Sequence, residues 1–244
     1  MLRLLTRSLV LVVVLALLVV AGDRAAALLA ARTVSRNVTA SAGLGHPADV
    51  RFPSVPFLTQ AAAGRYDVDV TMEGVPTRRG LVLDRVDASL HGVAASAVSL
   101  LQGQVQQFPV DSGDAVVHVS FAALRAAARQ AVGPDADGLS FTRATSDRVL
   151  ISGAVRTPLG SLPLRGEVQL TVNGRAVGAR LLPETVDGVP APLRSRLGKL
   201  VDLTVLTPAL PFGFAPTAVS VDENGLRLTA AGAHLLLPAR DPAG

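Results

Sequence analysis

The spacing of hydrophobic and polar positions changes along this chain, and each change predicts an element. An uninterrupted apolar run, Leu9–Ala21, follows Arg3 and Arg7. A basic flank before such a run predicts export or membrane insertion, with the remaining chain outside the cytoplasmic membrane. As helix the run spans about 20 Å, short of the roughly 30 Å hydrocarbon core. Its length favours a signal-peptide core, while Leu4, Leu5 and the apolar residues 25–31 favour a retained anchor. Small residues suited to a peptidase occur at Val19-Val20-Ala21 and again at Ala25-Ala26-Ala27. From Asp23 to Val38 alanines dominate, which predicts a second helix with Asp23 as its N-cap. Arg24, Arg32 and Arg36 supply its polar positions, and Leu28, Leu29 and Val34 are the residues that would seat on a sheet; the bland alternative is a stalk. Residues 41–47, with Gly43 and Gly45, read as a linker.

The stretch that follows organises the body. Pro53 and Pro56 push Ser54 and Val55 toward extended geometry, so Phe57 and Leu58 arrive on a stiff arm. Thr59 is then placed to cap one helical turn, Gln60 to Ala63, closed by Gly64. From Tyr66 the period drops to two, with Tyr66, Val68, Val70 and Met72 on one face and Asp67, Asp69, Thr71 and Glu73 on the other. That is a half-buried strand. A turn is expected at Gly74-Val75-Pro76, then a strand from Leu81 to Val93 whose parity slips, as if bulged near Asp84-Arg85. Ala115, Val117 and Val119 mark a third strand, and Ser120 is placed to cap a helix from Phe121 to about Val132.

Beyond it, Arg148 to Val155 reads as a strand, and Asn173-Gly174 joins Leu164–Val172 to Arg175–Leu182 in a hairpin. A short helix over Leu193–Leu200 and a strand over Leu200–Leu206 follow. The aromatic pair Phe212 and Phe214 comes next, then a hairpin of Ala218–Val221 with Leu226–Ala230, and a last edge strand at His234–Leu237. Strands, helix, strands, helix, strands imply an α+β fold of strongly curved antiparallel sheets wrapping one or two helices. The segments divide as 1–22 signal peptide or anchor, 23–40 leading helix, 41–240 domain and 241–244 tail.

Composition narrows the function. Hydrophobic residues make up 49% of the 244 and aromatic residues 3%, so the core is aliphatic and poor in rings that stack on bases or sugars. The net charge of +4 comes almost wholly from arginine, with Lys199 the one lysine, and no basic run points to nucleic acid. Cysteine is absent, which excludes disulfides. His46, His91, His118 and His234 are scattered without metal-ligand spacing, and no nucleophile elbow, Walker loop or dinucleotide fingerprint occurs. Asp135-Ala136-Asp137-Gly138 opens like a calcium loop, but the glycine comes early and Ser146 stands where the glutamate belongs. Asp67 and Asp69 read as solvated charges. The expectation is a protein that is not an enzyme, with no catalytic residue, metal or cofactor. A mean hydropathy of +0.43 with few rings leaves two readings, an ordinary aliphatic core or an interior that accepts acyl chains.

Two blocks in this order, PFLTQAAAGRYDVDV at 56–70 and LTPALPFGF at 206–214, resemble the LmeA-like phospholipid-binding family of actinobacterial cell-envelope proteins. Ser54 and Val55 stand where the family pattern has a glycine and an aromatic residue. The resemblance implies a TULIP-like sheet enclosing an apolar groove, and phospholipid, with the phosphatidylinositol type as its finer form, as partner together with the membrane surface. It also implies support of lipoglycan mannan elongation. The candidate lipid-contacting residues are Phe52, Phe57, Leu58, Tyr66, Val68, Val70, Phe212 and Phe214, with Arg65 for the headgroup phosphate. The alternative is a non-enzymatic envelope adaptor with a fully packed core that binds a protein partner.

Overall fold

The computed structural model describes residues 2–54, 56–77, 80–96, 107–132, 138–157, 160–174, 176–182, 185–186 and 213–238. Three helices, α1 (Leu2–Ser41), α2 (Phe57–Ala63) and α3 (Phe121–Val132), accompany two antiparallel sheets in this part of the chain. The larger sheet contains β1 (Asp49–Arg51), β2 (Arg65–Pro76), β3 (Val82–Ala94), β4 (Gln107–Ser120), β9 (Ala215–Val221) and β10 (Gly225–Pro238) in the order β1-β2-β3-β4-β10-β9. The smaller runs β5 (Ser140–Arg143), β6 (Arg148–Thr157), β7 (Gly160–Asn173) and β8 (Ala176–Leu181) in sequence order. The fold is therefore α+β, with two open sheets and an N-terminal apolar helix. The predicted segments at Leu193–Leu200 and Leu200–Leu206, and Phe212 with them, lie outside the described residues.

The alternation in β2 decides which face is inner. Tyr66, Val68, Val70 and Met72 are all buried, and their cross-strand partners Val86, Ala88, Leu90 and Val93 are buried with them. The layer continues through Ala115, Val117 and Val119 of β4 to Leu226, Leu228 and Ala230 of β10. Each such Val or Leu contributes about 1.5–3 kcal/mol by leaving water, so a one-residue slip of register is strongly disfavoured. The outward rows are polar, for example Glu73–Arg85–His118–Arg227 across four strands. The two sheets meet where β9 touches β6, β7 and β8, and Val221 N–H donates to the Ser146 carbonyl at 2.8 Å. α3 packs against β3, β4 and β5, and its cap is as the sequence predicts: Ala123 N–H donates to Ser120 Oγ at 3.1 Å.

Several local expectations are corrected. Gly74-Val75-Pro76 does not turn the chain; β2 runs through Pro76 and the reversal is made by Thr77 and Gly80. The parity slip near Asp84-Arg85 is real, but β2 slips with it: Glu73 still faces Arg85 and Val75 faces Leu83, so no residue is inserted. The inserted residue lies further on, where the pairing jumps from Tyr66↔Val93 to Val68↔Leu90 and Gly92 takes φ 66°, a conformation that disfavours a side chain. His234–Leu237 is no separate strand; it continues β10 along β4. At the N-terminus there is no break at Gly22. Apolar sequence, Leu- and Val-rich before Gly22 and Ala-rich after it, carries one helix through, about 60 Å of it.

Candidate functional site: an aromatic corner joined to the N-terminal helix

Asp23 is buried in the middle of α1 rather than capping it, and its Oδ1 accepts the Leu58 backbone N–H at 2.8 Å. The reason lies at α2, whose first residue follows Pro56, a residue that offers no side-chain cap. The orphan donors of a helix start need an acceptor, and a carboxylate from the neighbouring helix supplies it. Thr59 therefore does not cap; its hydroxyl donates back to the Pro56 carbonyl at 2.8 Å, and α2 begins at Phe57, earlier than predicted. Gly64 closes α2 in the left-handed region (φ 65°), as its position implied.

This short helix sets Phe57 against Phe52, which follows β1, and against Tyr66, the second residue of β2. Ring centroids are 5.1 Å apart for Phe52–Phe57, 5.9 Å for Phe52–Tyr66 and 5.5 Å for Phe57–Tyr66. The first two pairs are edge-to-face, the arrangement that aromatic quadrupoles favour. All three residues are buried, and Leu58 beside them is 48% exposed. The Tyr66 hydroxyl is buried with no hydrogen-bond partner among the described residues, and burial raises its pKa above the usual phenol value. It is therefore a protonated donor without an acceptor.

Val68 and Val70 continue inward from this corner along the buried face. Phe214, just before β9, approaches the inner face from the far edge of the sheet. A methyl placed on Gly113 would meet Phe214 Cε1 at 3.2 Å and Leu90 Cδ2 at 3.0 Å, so the ring lies over the row Val68–Leu90–Gly113, next to that of Tyr66. The two aromatic segments, some 150 residues apart in sequence, thus converge on one end of the inner face. Arg65 takes the opposite face by alternation: its guanidinium is exposed and ion-paired with Asp111 across the sheet. Sequence reasoning missed Asp23, whose role depends on a contact 35 residues away.

A concavity of about 590 Å³ opens on the polar face of β1–β3 and is lined by Asp49, Asp69, Glu73, Asp87, Arg51 and Arg85 among others. Four of these are carboxylates and two are guanidiniums, the wrong balance for a phosphate. The arginines are already engaged, Arg51 with Asp49 at 2.6 Å and Arg85 with Asp87 at 2.7 Å. No group of His, Cys, Asp or Glu that could hold a metal ion occurs among the described residues.

The class so defined is an α+β protein carried on an N-terminal apolar helix, whose large sheet keeps an aliphatic face closed at one end by aromatic side chains. The chain belongs to the LmeA-like phospholipid-binding family, whose model matches residues 21–231 of the 244. That membership points to phospholipid as the ligand. Neither a curated protein nor a solved structure matches.

Proposed function

We propose that this protein binds phospholipid at the aromatic corner, acyl chains along the aliphatic face and the polar end of the lipid at Tyr66, outside the cytoplasmic membrane. The observation that carries the reading is the Tyr66 hydroxyl, a donor left unpaired among the described residues, in the cluster of Phe52 and Phe57 at the head of the buried row Val68 and Val70. An ester or phosphate oxygen supplies the missing acceptor. Leu58 meets the bilayer, and Arg65, paired with Asp111 on the opposite face, stays outside the proposed site. Each buried methylene contributes about 0.8 kcal/mol, so a sixteen-carbon tail holds without dedicated polar contacts. A TULIP-like enclosure, an inositol-type headgroup and a part in lipoglycan mannan elongation are the finer form of this proposal and rest on the family resemblance.

The test is lipid extraction from protein beginning at Gly22, which retains Asp23, followed by mass spectrometry. Phospholipid at near-stoichiometric amount is expected, and the headgroup masses read the inositol question directly. The adaptor reading draws on a different observation: inner-face side chains such as Met72 and Val117 are at most 1% exposed, as in a packed core. Folded protein that repeatedly comes out lipid-free, and does not load from vesicles, would decide for the adaptor.

A further inference from the structure

Burial along α1 changes at one residue. From Val14 to Gly22 every residue is exposed, Leu15, Leu17 and Leu18 among them. From Asp23 onward the helix lies on the domain: Asp23, Ala27 and Ala30 are buried, and Ala26, Ala31, Val34 and Val38 pack on the core. Leu28 and Leu29, which the sequence pattern would seat on the sheet, are 59% and 55% exposed, because the small alanines allow closer approach and take the inner positions. The first part of the domain met beyond the exposed stretch is α2, through the Asp23–Leu58 bond, and the rise from Val20 to Asp23 is only about 4.5 Å. Further along α1, Thr39 Oγ1 accepts the Ala48 N–H at 2.9 Å, and the next residue, Asp49, pairs with Thr71 of β2. The helix therefore climbs beside β2, away from its start. α2 is uncharged throughout and exposes Leu58, Thr59, Ala62 and Ala63. At the same end of the large sheet, where β2 and β4 start and β3 and β10 finish, Leu236 is exposed opposite Pro109. The other end is polar: its β9–β10 turn is Asp222-Glu223-Asn224, all exposed.

We infer that the α2 end of the domain is seated on the bilayer at the level of the lipid headgroups, and that α1 sets this distance. The helix from Leu2 to Gly22 is about 30 Å long, the depth of a hydrocarbon core, and α1 is unbroken to Ser41. With that stretch embedded, each later residue is carried farther from the membrane, so that Arg36 stands roughly 20 Å beyond Gly22. Only what touches the first turn after Gly22 is held beside the lipid, and that is α2. Its surface suits the place, since an uncharged turn with an exposed leucine gives up little hydration among headgroups and gains by burying the leucine. Asp222 and Glu223, at the far end of the sheet, remain in water. The seating rests on the apolar stretch being embedded, and it holds whether or not the interior of the domain carries a lipid.

The chain contains no cysteine, so a single one can be introduced and labelled cleanly. Full-length Leu58→Cys and Glu223→Cys, each carrying a small fluorophore, are reconstituted into vesicles of phosphatidylcholine with phosphatidylglycerol. The Asp23 bond goes to the backbone of residue 58, so the first substitution leaves it in place. Flotation after an alkaline wash reads whether the chain is embedded. Quenching by headgroup spin-labelled lipid, set against quenching by aqueous iodide, reads which end is seated. The expected result is a protein that floats, with position 58 quenched by the lipid and shielded from iodide, and position 223 the reverse. A polar, helix-forming heptad inserted between Gly22 and Asp23 keeps the same face of α1 toward the domain and lifts the domain by about 10 Å. Lipid quenching at 58 should then be lost, while the melting temperature stays that of the parent because every contact from Asp23 onward is retained. Protein that washes off the vesicles overturns the inference at its premise, since the apolar stretch is then not embedded. Embedded protein whose positions 58 and 223 are equally open to iodide overturns the seating itself. Lipid quenching at 58 that survives the insertion overturns it as well, because α1 would not be setting the distance. None of these readouts responds to lipid inside the domain, which extraction and mass spectrometry test separately.

Discussion

Replacing Tyr66 with Phe separates the two readings of the aromatic corner, because it moves the lipid-free and lipid-loaded states in opposite directions. The ring is 1% exposed and lies 5.9 Å and 5.5 Å from Phe52 and Phe57, so the phenylalanine keeps its aromatic contacts. What is lost is one buried hydroxyl with no partner. An unsatisfied buried donor costs about 1–3 kcal/mol. The void left by one oxygen offsets part of that, so delipidated Tyr66→Phe should be about 1 kcal/mol more stable than the parent. Where the hydroxyl donates to a lipid oxygen, its removal forfeits about 1 kcal/mol of binding, roughly fivefold in Kd. Urea midpoints at unchanged slope read the first effect, and competition of bound lipid against vesicles reads the second. Burial raises the phenol pKa, so both measurements at neutral pH see the protonated donor. A lipid-free variant that is less stable than the parent would refute the reasoning, since it would mean that the hydroxyl is satisfied within the protein. Unchanged lipid retention beside a stabilised fold would remove Tyr66 from the site.

Four further outcomes follow from particular contacts. Gly113→Ala places a methyl 2.9 Å from the Ser89 carbonyl oxygen and 3.2 Å from the Phe214 ring, and the fold should lose about 1–3 kcal/mol in chemical denaturation; an unchanged midpoint would mean that Phe214 is not seated there. Asp87 has its pKa lowered first by the Arg85 guanidinium, then by the Thr71 hydroxyl, with bonds of 2.7 Å and 2.8 Å to those groups. A depressed carboxylate stabilises the fold above its unfolded pKa near 3.8 and ceases to do so as pH falls through the lower folded value. Stability of Asp87→Asn should accordingly drop less than that of the parent between neutral pH and about pH 3; parallel pH profiles would contradict this. Any processing of the leader should leave Asp23 in place: a cut after Ala21 keeps the α2 cap, whereas a cut after Ala27 removes it along with a buried residue. The mass of the secreted chain tests this, and a mature protein beginning at Leu28 would count against it. Asp23→Ala should in turn lower the melting temperature.

Local pattern carried much of the architecture. Strand β2, the Ser120 cap, the Asn173-Gly174 hairpin and the aromatic segment around Phe57 were all legible, because each depends on residues within a few positions of one another. What could not be read depended on partners distant in sequence. Asp23 looks like an N-cap and is one, but for a helix 35 residues downstream. Leu28 and Leu29 look like core residues, and hydrophobicity alone cannot tell that alanines would win the inner positions by size. Pro76 reads as a breaker, yet it closes a strand opposite Val82, since a proline at a strand end gives up little of the ladder. The two-sheet division was likewise illegible: alternation identifies a buried face without saying which strands share it.

The contacts around Asp23 bear on how a lipid would enter. At the described residues the inner face is closed to solvent, so a tail cannot simply settle into an open trough; some packed element must yield. The corner is the candidate with the least to lose. Strand–strand pairing holds Val68 and Leu90 along a full ladder, while α2 has only seven residues, and its start is held by a carboxylate from another helix. Isolated helices of that length do not persist on their own, so Phe57 keeps its place through α1, Tyr66 and Phe52. On the reading that α1 meets the membrane, its seating and the position of the corner are a single mechanical unit: whatever shifts α1 against the domain shifts the acceptor of the Leu58 N–H, and with it the ring that closes the end of the sheet. On the same reading, a corner that yields with α1 would open beside the bilayer, where a phospholipid can arrive without crossing water.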